Sequence, residues 1–356
     1  MHPNRLFVTG MARSGTTLLD KLLNSHSDVE VLSQPFPLVF VEAKRRFLDS
    51  LGVGTYYVLN DDLISRSYSH ESFTVFLNEV QFHSSDIDDL FKKMAAYSGQ
   101  STRPDHARLP LKAGLLENFI EVVNDCMEYF NTKAVAYVGM KEIMCEEFLP
   151  YLASRGYRCV LIIRDPRDVL ASANYPGSEK YFGEKKPALF VLRSWRKSVE
   201  FAWQLRNEPD FHCLRYEDLV AQPYIELNKL TDFLAVSSFE PGSLDSGVRD
   251  RAGQLWQANS SKQSPGSLVS EKSVGSYRTA LGADEIAYTE TVCEYEMAWL
   301  GYLPDSATDP EKCLRSYEDY GINDLPDLPA DFSRRTEHVA QELRRRLTFK
   351  DFYACR

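Results

Sequence analysis

The stretch of this sequence that decides the fold is Gly10-Met11-Ala12-Arg13-Ser14-Gly15-Thr16-Thr17. It stands between an apolar run at 5–9, which predicts a short buried strand, and residues 16–24, whose leucines follow helical spacing. At a junction of this kind, the amide groups of the loop and the N-terminus of the helix can together hold a phosphate. The stretch therefore predicts an anion-binding loop between a strand and a helix.

The loop resembles a P-loop but departs from the Walker pattern, in which a Lys-Ser/Thr pair follows the second glycine. Here Thr16 follows Gly15, and the positive charge is carried by Arg13 instead. The usual ligands of magnesium and of a γ-phosphate are therefore missing, which argues against hydrolysis of a nucleoside triphosphate. An ordinary strand–turn–helix junction is the alternative.

A second candidate anion site lies at the end of a later apolar strand, residues 159–163. Arg164 follows this strand directly, at the carboxyl end where open α/β sheets bind their ligands. Ser172 lies eight residues further on, along a predicted helix over 167–174, so both side chains can face one anion. A guanidinium together with a hydroxyl suits a phosphate monoester. A capped helix with a surface salt bridge is the alternative.

Strands and helices alternate along much of the chain, which predicts an α/β fold with a parallel sheet flanked by helices. The remaining strands are predicted at 29–32, 134–140 and 212–215, and the helices near them at 145–154 and 187–207. Residues 36–130 are mixed, with helical stretches at 38–50, 72–82, 86–97 and 115–129. Residues 257–273 are rich in Ser, Gly, Asn and Gln, which predicts a mobile loop. After Leu303 the chain becomes acidic and proline-rich, before a last predicted helix over 336–347.

The composition disfavours several kinds of partner. The 356 residues include 41 Lys and Arg against 51 Asp and Glu, a formal net charge of −10, which argues against binding to nucleic acid or to a membrane. Seven scattered cysteines without a CxxC pair indicate reduced thiols and no metal site. The apolar run near the N-terminus is too short for a signal peptide or a membrane span, which predicts a cytoplasmic location. An oligomer is possible.

Together, the two motifs resemble the 5'-phosphosulfate loop and the 3'-phosphate loop of the sulfotransferases that use 3'-phosphoadenosine 5'-phosphosulfate (PAPS). The segments 214–220, 273–278 and 296–302 are also similar to the family, and the pattern is nearest to its bacterial, Golgi carbohydrate and tyrosylprotein branches. The resemblance implies a P-loop-like sulfotransferase domain over 1–303, in which 36–130 is a helical, variable acceptor region. Residues 304–356 are then a C-terminal extension.

The resemblance also assigns ligand contacts. It implies that the 5'-phosphosulfate is held by Arg13, Ser14, Gly15, Thr16 and Thr17, and the 3'-phosphate by Arg164 and Ser172. Tyr216 would lie near the adenine, and residues 273–278, which we call the late loop, would add contacts to the 3' end through Ser276, Tyr277 and Arg278. PAPS is then the sulfuryl donor, PAP (3'-phosphoadenosine 5'-phosphate) is the product, and no metal is required, because a sulfuryl group carries less charge than a phosphoryl group.

Two catalytic tasks remain, neutralising charge and accepting a proton. Lys141, at the end of the strand 134–140, resembles the strand lysine of the family and is a candidate for the first, although a solvated lysine is the alternative. For the second, the Golgi carbohydrate and tyrosylprotein branches place a glutamate where this chain has Gln34, and an amide cannot accept the proton. Three interpretations stay open: another residue is the base, the acceptor needs no strong base, or a natural acid has been replaced at this position. The candidates for another base are Glu42, Glu142, His70, His83 and His106.

The sequence leaves the acceptor open. We expect a hydroxyl or an amine of a small molecule, neutral or cationic, because of the net charge and the acidic residues Glu79, Asp86, Asp88 and Asp89. The acceptor pocket and its lid are predicted in 36–130 and 257–273. The competing functions are a P-loop kinase of small molecules and a nucleotide-binding relative that has lost catalysis.

Overall fold

The protein is described by a computed structural model, which covers residues 3–52, 69–94, 116–131, 134–175, 185–240, 242–244, 247–248, 269–320 and 335–349. The described elements, in chain order, are β1 (Asn4–Thr9), α1 (Thr16–Asn24), β2 (Val29–Ser33), α2 (Pro37–Ser50), α3 (His70–Glu79), β3 (Gln81–His83), α4 (Ser84–Met94), β4 (Leu116–Asn118), α5 (Phe119–Phe130), β5 (Tyr137–Lys141), a 3₁₀ turn (Glu146–Phe148), α6 (Leu149–Ala153), β6 (Tyr157–Ile163), α7 (Pro166–Asn174), α8 (Ala188–Leu205), β7 (Phe211–Arg215), α9 (Tyr216–Ala221), α10 (Pro223–Leu234), a 3₁₀ turn (Glu271–Ser273), α11 (Tyr277–Ala280), α12 (Ala283–Val292), α13 (Glu294–Leu300), α14 (Pro310–Ser316) and α15 (Arg335–Phe349).

A five-stranded parallel sheet forms the centre of the molecule, in the order β2-β5-β1-β6-β7. Its central strand β1 is buried on both faces, and Leu6, Phe7 and Val8 are inaccessible to solvent. Strands covered on both faces read as continuous apolar runs, which is the pattern that predicted them. The predicted parallel sheet flanked by helices is confirmed.

The order of the strands places a ligand crevice next to β1. The chain leaves β1 towards β2 on one side of the sheet, whereas it leaves the neighbouring strand β6 towards β7 on the other side. Connections that diverge from adjacent strands open a crevice at their carboxyl ends, where ligands of α/β proteins bind. The two predicted anion motifs follow these two strands.

Each face of the sheet has its own apolar core. On one face, Leu19 and Leu22 of α1 pack with Leu6 and Val8 of β1. On the other face, the ring of Phe7 stacks on Phe40 of α2 at 5.8 Å. Phe40 in turn contacts Phe119 and Phe148, so the described part of the region 36–130 shares the main core with the sheet.

The predicted last helix is confirmed as α15, which docks on α8 and α13 through buried ion pairs. The Glu342 carboxylate lies 2.9 Å from Arg193 Nη2 and 2.5 Å from Arg196 Nη1. Arg345 of α15 pairs with Glu296 of α13. We call these five side chains the C-terminal clamp. The domain boundary at 303 stays a prediction.

Three boundaries in and after the region 36–130 differ from the sequence prediction. The helix predicted over 72–82 ends at Glu79, and residues 81–83 instead pair antiparallel with 116–118. The helix predicted over 115–129 begins only at Phe119, because Asn118 and Glu121 form a capping box there. The helix predicted over 145–154 starts as the 3₁₀ turn and becomes α-helical at Leu149. Most of the loop predicted over 257–273 lies outside the described residues.

Six cysteines fall within the described residues, and all six are free thiols there. The same residues contain no cluster of three or more His, Cys, Asp or Glu side chains suited to hold a metal ion. None of the described helices has the length and apolar character needed to cross a membrane.

Candidate active site

The loop between β1 and α1 has the backbone of an anion cradle. Arg13 and Gly15 have positive φ angles of 72° and 97°, on either side of Ser14, whose N–H donates to Met11 O at 3.1 Å. Leu19 N–H makes the first bond of the helix, to Gly15 O, so the amides of residues 16–18 lie ahead of the helical ladder. Amides exposed in this way at a helix N-terminus attract anions.

The packing of Tyr216 against the loop also requires a glycine at position 15. A Cβ at this position would lie 2.4 Å from Cδ2 of Tyr216, whose ring packs directly on the loop backbone. Tyr216 therefore braces the loop from the far side of β6, at the end of β7.

All five strands deliver a predicted site residue to the same edge of the sheet. These residues are Arg13 after β1, Gln34 after β2, Lys141 at the end of β5, Arg164 after β6 and Tyr216 after β7. Because the strands are parallel, their carboxyl ends meet there. The tertiary structure thus gathers positions that are separated by up to about two hundred residues of sequence.

Arg164 links three segments at this edge. Its guanidinium donates to Arg13 O at 3.2 Å and to Ser273 O at 2.6 Å. The same group lies 4.6 Å from the centre of the Tyr216 ring, and Tyr216 Oη is 2.7 Å from Ser273 Oγ. The first anion loop and the late loop therefore converge on one buried cation.

The two anion motifs also touch through Ser172. Arg13 Nε donates to Ser172 Oγ at 2.9 Å, so Arg164 and Ser172 both contact Arg13. Ser14 Oγ and Arg164 Nε are buried and have no hydrogen-bond partner among the described residues. Unpaired buried donors cost free energy unless a ligand satisfies them. Two such donors beside the loop fit a bound anion.

The residues between Arg164 and Ser172 hold that arginine in place. Asp165 accepts the N–H of Arg167 at 2.9 Å and so caps α7. Arg167 in turn pairs with Glu290 of α12 at 2.6 Å, and the indole N–H of Trp195 donates to Arg164 O at 2.7 Å. The backbone that carries Arg164 is thereby fixed to two helices.

The late loop lies beside α7. Ser276 Oγ donates to Asp168 at 3.1 Å, and the buried ring of Tyr277 lies 4.3 Å from the guanidinium of Arg167. Tyr277 Oη donates to Asp305 at 2.7 Å, and Arg278 Nε lies 3.0 Å from the same carboxylate. The proposed ligand contacts of Ser276, Tyr277 and Arg278 stay predictions, since these side chains have protein partners here.

Lys141 occupies a buried polar cluster between β5 and α1. Its Nζ lies 3.4 Å from Asp20 Oδ2, 3.4 Å from Thr17 Oγ1 and 3.5 Å from Gln34 Oε1. Burial lowers the pKa of Lys141, whereas the nearby charge of Asp20 opposes that shift. Lys141 is therefore not a solvated surface lysine. Sequence reasoning missed Asp20, although an acid among the leucines of the first helix was an available signal.

Gln34 and Glu142 stand at the ends of adjacent strands. Gln34 has a positive φ of 47°, and its N–H donates to Lys141 O at 2.7 Å. Glu142 accepts the N–H of Phe36 at 2.7 Å and so fixes the turn that carries Gln34. Burial raises the pKa of Glu142 to about 8, against the lowering effects of Phe36 N–H and Lys141.

The other candidates for the base are placed differently. The hydrogen bond from Arg45 lowers the pKa of Glu42, and Arg46 adds to the effect, so Glu42 is bound within α2. The exposed ring of His83 contacts Ser85 Oγ at 2.7 Å. The side chain of His70 and the whole of His106 lie outside the described residues. The geometry therefore favours Glu142 over Glu42.

The model of the sulfotransferase family matches residues 3–241 of the chain. The chain belongs to the sulfotransferase family. This confirms the prediction of a PAPS-dependent sulfotransferase, and the match spans both anion motifs and the five strands of the sheet.

Individual relatives of this sulfotransferase are distant. Carbohydrate sulfotransferase 1 of Danio rerio is 24% identical over 341 residues, which cover 83% of this chain and 77% of that protein. The sulfotransferase domain from the curacin biosynthetic pathway is 18% identical, with a TM-score of 0.47 over 85% of this chain and 99% of that one. A mouse sulfotransferase complexed with PAP is 12% identical, with a TM-score of 0.41 over 89% and 90% of the two chains.

Proposed function

We propose that this sulfotransferase transfers the sulfuryl group of PAPS to a hydroxyl or an amine of a small-molecule acceptor, by in-line displacement without a metal. The observation that carries the proposal is the pair of buried donors, Ser14 Oγ and Arg164 Nε, beside the free amides at the N-terminus of α1. The loop lacks the Lys-Ser/Thr pair that holds magnesium in P-loop enzymes, and Arg13 supplies a cation instead.

The residues divide between the two ends of the donor. The 5'-phosphosulfate end falls to Arg13, Ser14, Gly15, Thr16 and Thr17, and the 3'-phosphate end to Arg164 and Ser172. When bound, PAPS supplies a sulfuryl group on the oxygen that bridges to its 5'-phosphate. Lys141, within reach of Thr17 and Gln34, stabilises the charge that develops on that side of the site.

On the acceptor side, Gln34 positions the attacking group and Glu142 takes its proton. Gln34 can donate and accept hydrogen bonds but cannot hold the proton. Glu142 follows Lys141 directly and holds the turn at residues 34–36, and its raised pKa makes its ionised form a strong base. The nucleophile then forms the new bond to sulfur, the bond to the bridging oxygen breaks, and PAP leaves.

The preference for a neutral or cationic acceptor rests on the net charge of −10. The acidic residues of the variable region add little, because Asp86 pairs with Arg46 at 2.7 Å and both Asp88 and Asp89 pair with Lys92. The acceptor pocket in 36–130, the lid in 257–273, the cytoplasmic location and the possible oligomer stay predictions.

Calorimetry with PAP and a turnover assay test the proposal. We expect PAP to bind equally well with and without a chelator, and sulfuryl transfer from PAPS to one class in a panel of phenols, steroids, amines and sulfated glycans. Loss of PAP binding on chelation would contradict the metal-free site. PAP binding without turnover on any acceptor would favour the non-catalytic relative, and preference for a polyanionic glycan would overturn the expected acceptor charge.

A further inference from the structure

Asp168 of α7 binds the late loop at three consecutive residues. Its carboxylate is inaccessible to solvent. Oδ2 accepts the N–H of Gly275 at 2.7 Å, and Oδ1 accepts the N–H of Tyr277 at 2.9 Å and the hydroxyl of Ser276 at 3.1 Å. One side chain thus satisfies two backbone donors and one hydroxyl from a segment more than a hundred residues away in sequence.

The segment held by Asp168 has little structure of its own. It lies between a 3₁₀ turn of three residues and α11, which is only four residues long. Gly275 between them has a positive φ of 70°. Helical turns this short do not form in isolation, because nucleation is unfavourable. The conformation of residues 274–277 therefore depends on contacts from outside the segment.

Asp168 also lies next to the cation assigned to the 3'-phosphate. Its Oδ2 is 3.7 Å from Arg164 Nη2, and the same nitrogen donates to Ser273 O at 2.6 Å. Asp168 and Arg164 thus hold adjacent parts of one loop, residues 273–277. The carboxylate bonds the amides of the loop, which leaves the guanidinium with backbone carbonyls as its nearest acceptors.

We propose that Asp168 is a positioning residue for donor binding: it holds residues 275–277 against α7, and thereby fixes the late loop and Arg164 around the 3'-phosphate of the nucleotide. The proposal rests on the proposed function for the ligand, but the anchoring of the loop is a property of the ligand-free protein. Asp168 acts through these neighbours and does not itself contact the anion, since like charges repel.

Asp168→Asn tests the proposal, because the amide keeps the shape but places an NH₂ group against one of the loop donors. We expect PAP to bind about 10- to 100-fold more weakly, as for loss of a buried bond to a charged group. AMP, which lacks the 3'-phosphate, should bind within about 2-fold of the unmodified protein. In the ligand-free protein, the amides of Gly275 and Tyr277 should exchange with deuterium faster. Asp309→Asn is the matched control, because Asp309 accepts Lys312 N–H at 2.7 Å at the start of α14.

Each outcome separates the anchoring from the ligand assignment. Equal weakening of PAP and AMP would show a merely structural role, and unchanged PAP affinity would also overturn the proposal. If the unmodified protein does not bind PAP, the proposed donor is wrong. Unchanged amide exchange in Asp168→Asn would separately overturn the proposal that Asp168 anchors the late loop. If that variant does not fold, Ser276→Ala removes one of the three bonds, and it should still speed exchange at Gly275 and Tyr277.

Discussion

Two buried glutamates have pKa values that are shifted in opposite directions. Glu142 lies at the carboxyl edge of the sheet, and Glu342 belongs to the C-terminal clamp. Burial raises the pKa of Glu142 to about 8, because one backbone N–H and one lysine compensate it only in part. Burial also acts to raise the pKa of Glu342, but the charges of Arg196 and Arg193 outweigh it and hold the pKa well below its ordinary value. The difference lies in the number of cations, not in the depth of burial.

The arginines of the two regions also differ in how closely they are paired with carboxylates. Arg193 and Arg196 of the clamp lie within 2.9 Å of the Glu342 carboxylate. Arg164 at the sheet edge donates to backbone carbonyls, and Asp168 Oδ2 lies 3.7 Å away. Removing the carboxylate from a closely paired buried cation destabilises the fold, whereas a cation whose closest partners are carbonyls retains affinity for an incoming anion. The comparison separates the arginines of the C-terminal clamp, which have close carboxylate partners, from Arg164, which we propose binds an anion.

The largest effect is expected when Glu142, whose pKa is raised, is replaced. Glu142→Gln should lower kcat by about 100- to 10,000-fold, the range for loss of a general base. In the unmodified protein, kcat should rise as the pH rises through about 8, where the carboxyl loses its proton, and this rise should be absent in the variant. A pH profile of kcat for both proteins measures the effect.

Gln34→Glu provides the matched variant for this test. If Glu142 is the base, a second carboxyl at position 34 should leave kcat unchanged or lower it. A gain of the size lost in Glu142→Gln would instead assign the missing base to position 34. Full activity of Glu142→Gln would direct attention to Glu42 and the histidines.

Replacing Glu342, which is paired with arginines, should lower the stability of the protein without changing its affinity for PAP. Glu342→Ala leaves Arg193 and Arg196 buried without their carboxylate, so the free energy of unfolding should fall by about 3–5 kcal/mol. Denaturant titration measures the loss, and the affinity of the folded variant for PAP should be unchanged. A weaker PAP complex with normal stability would break the distinction between the two regions.

The pH dependence of stability should also separate the two glutamates. Since the pKa of Glu342 is lowered, its contribution is present above its ordinary value of 4.5 and is lost as the pH falls below it. Since the pKa of Glu142 is raised, its contribution is full below 4.5 and is lost as the pH rises through about 8. Glu342→Gln should therefore flatten the acid side of the stability profile, and Glu142→Gln the alkaline side.

Arg164→Ala should weaken the binding of PAP, which Glu342→Ala should leave unchanged. Removing one partner of a charge-assisted bond to phosphate should weaken PAP binding by about 2–4 kcal/mol. AMP, without the 3'-phosphate, should lose far less, and calorimetry with both nucleotides measures the difference. Equal losses for the two ligands would show that Arg164 does not contact the 3'-phosphate.

The smallest effect is expected for an ion pair at the surface. Arg278 is 57% exposed and lies 3.0 Å from Asp305, so Arg278→Gln should change the free energy of unfolding by at most about 1 kcal/mol. Thermal denaturation at low and high salt measures it, because screening should remove most of the difference. A loss as large as that of Glu342→Ala would mean that pairing outweighs burial in this protein.

The sequence by itself determined the anion loop, the parallel sheet and the family. These rest on local patterns: apolar runs for strands buried on both faces, and the glycines Gly10 and Gly15 in the loop between the first strand and the first helix. They are visible within short windows, because strand, loop and helix follow one another directly. The short pairing of 81–83 with 116–118 was missed, because its partner strand lies more than thirty residues away.

Only the tertiary structure decided which charged groups have partners. Asp20 beside Lys141, Asp168 on the late loop and Asp305 on Arg278 depend on contacts between residues that are distant in the chain. The sequence names Glu142 and Glu342 alike as glutamates. Their pKa values move apart because electrostatic energy depends on distance and burial, and both are set by how the chain folds.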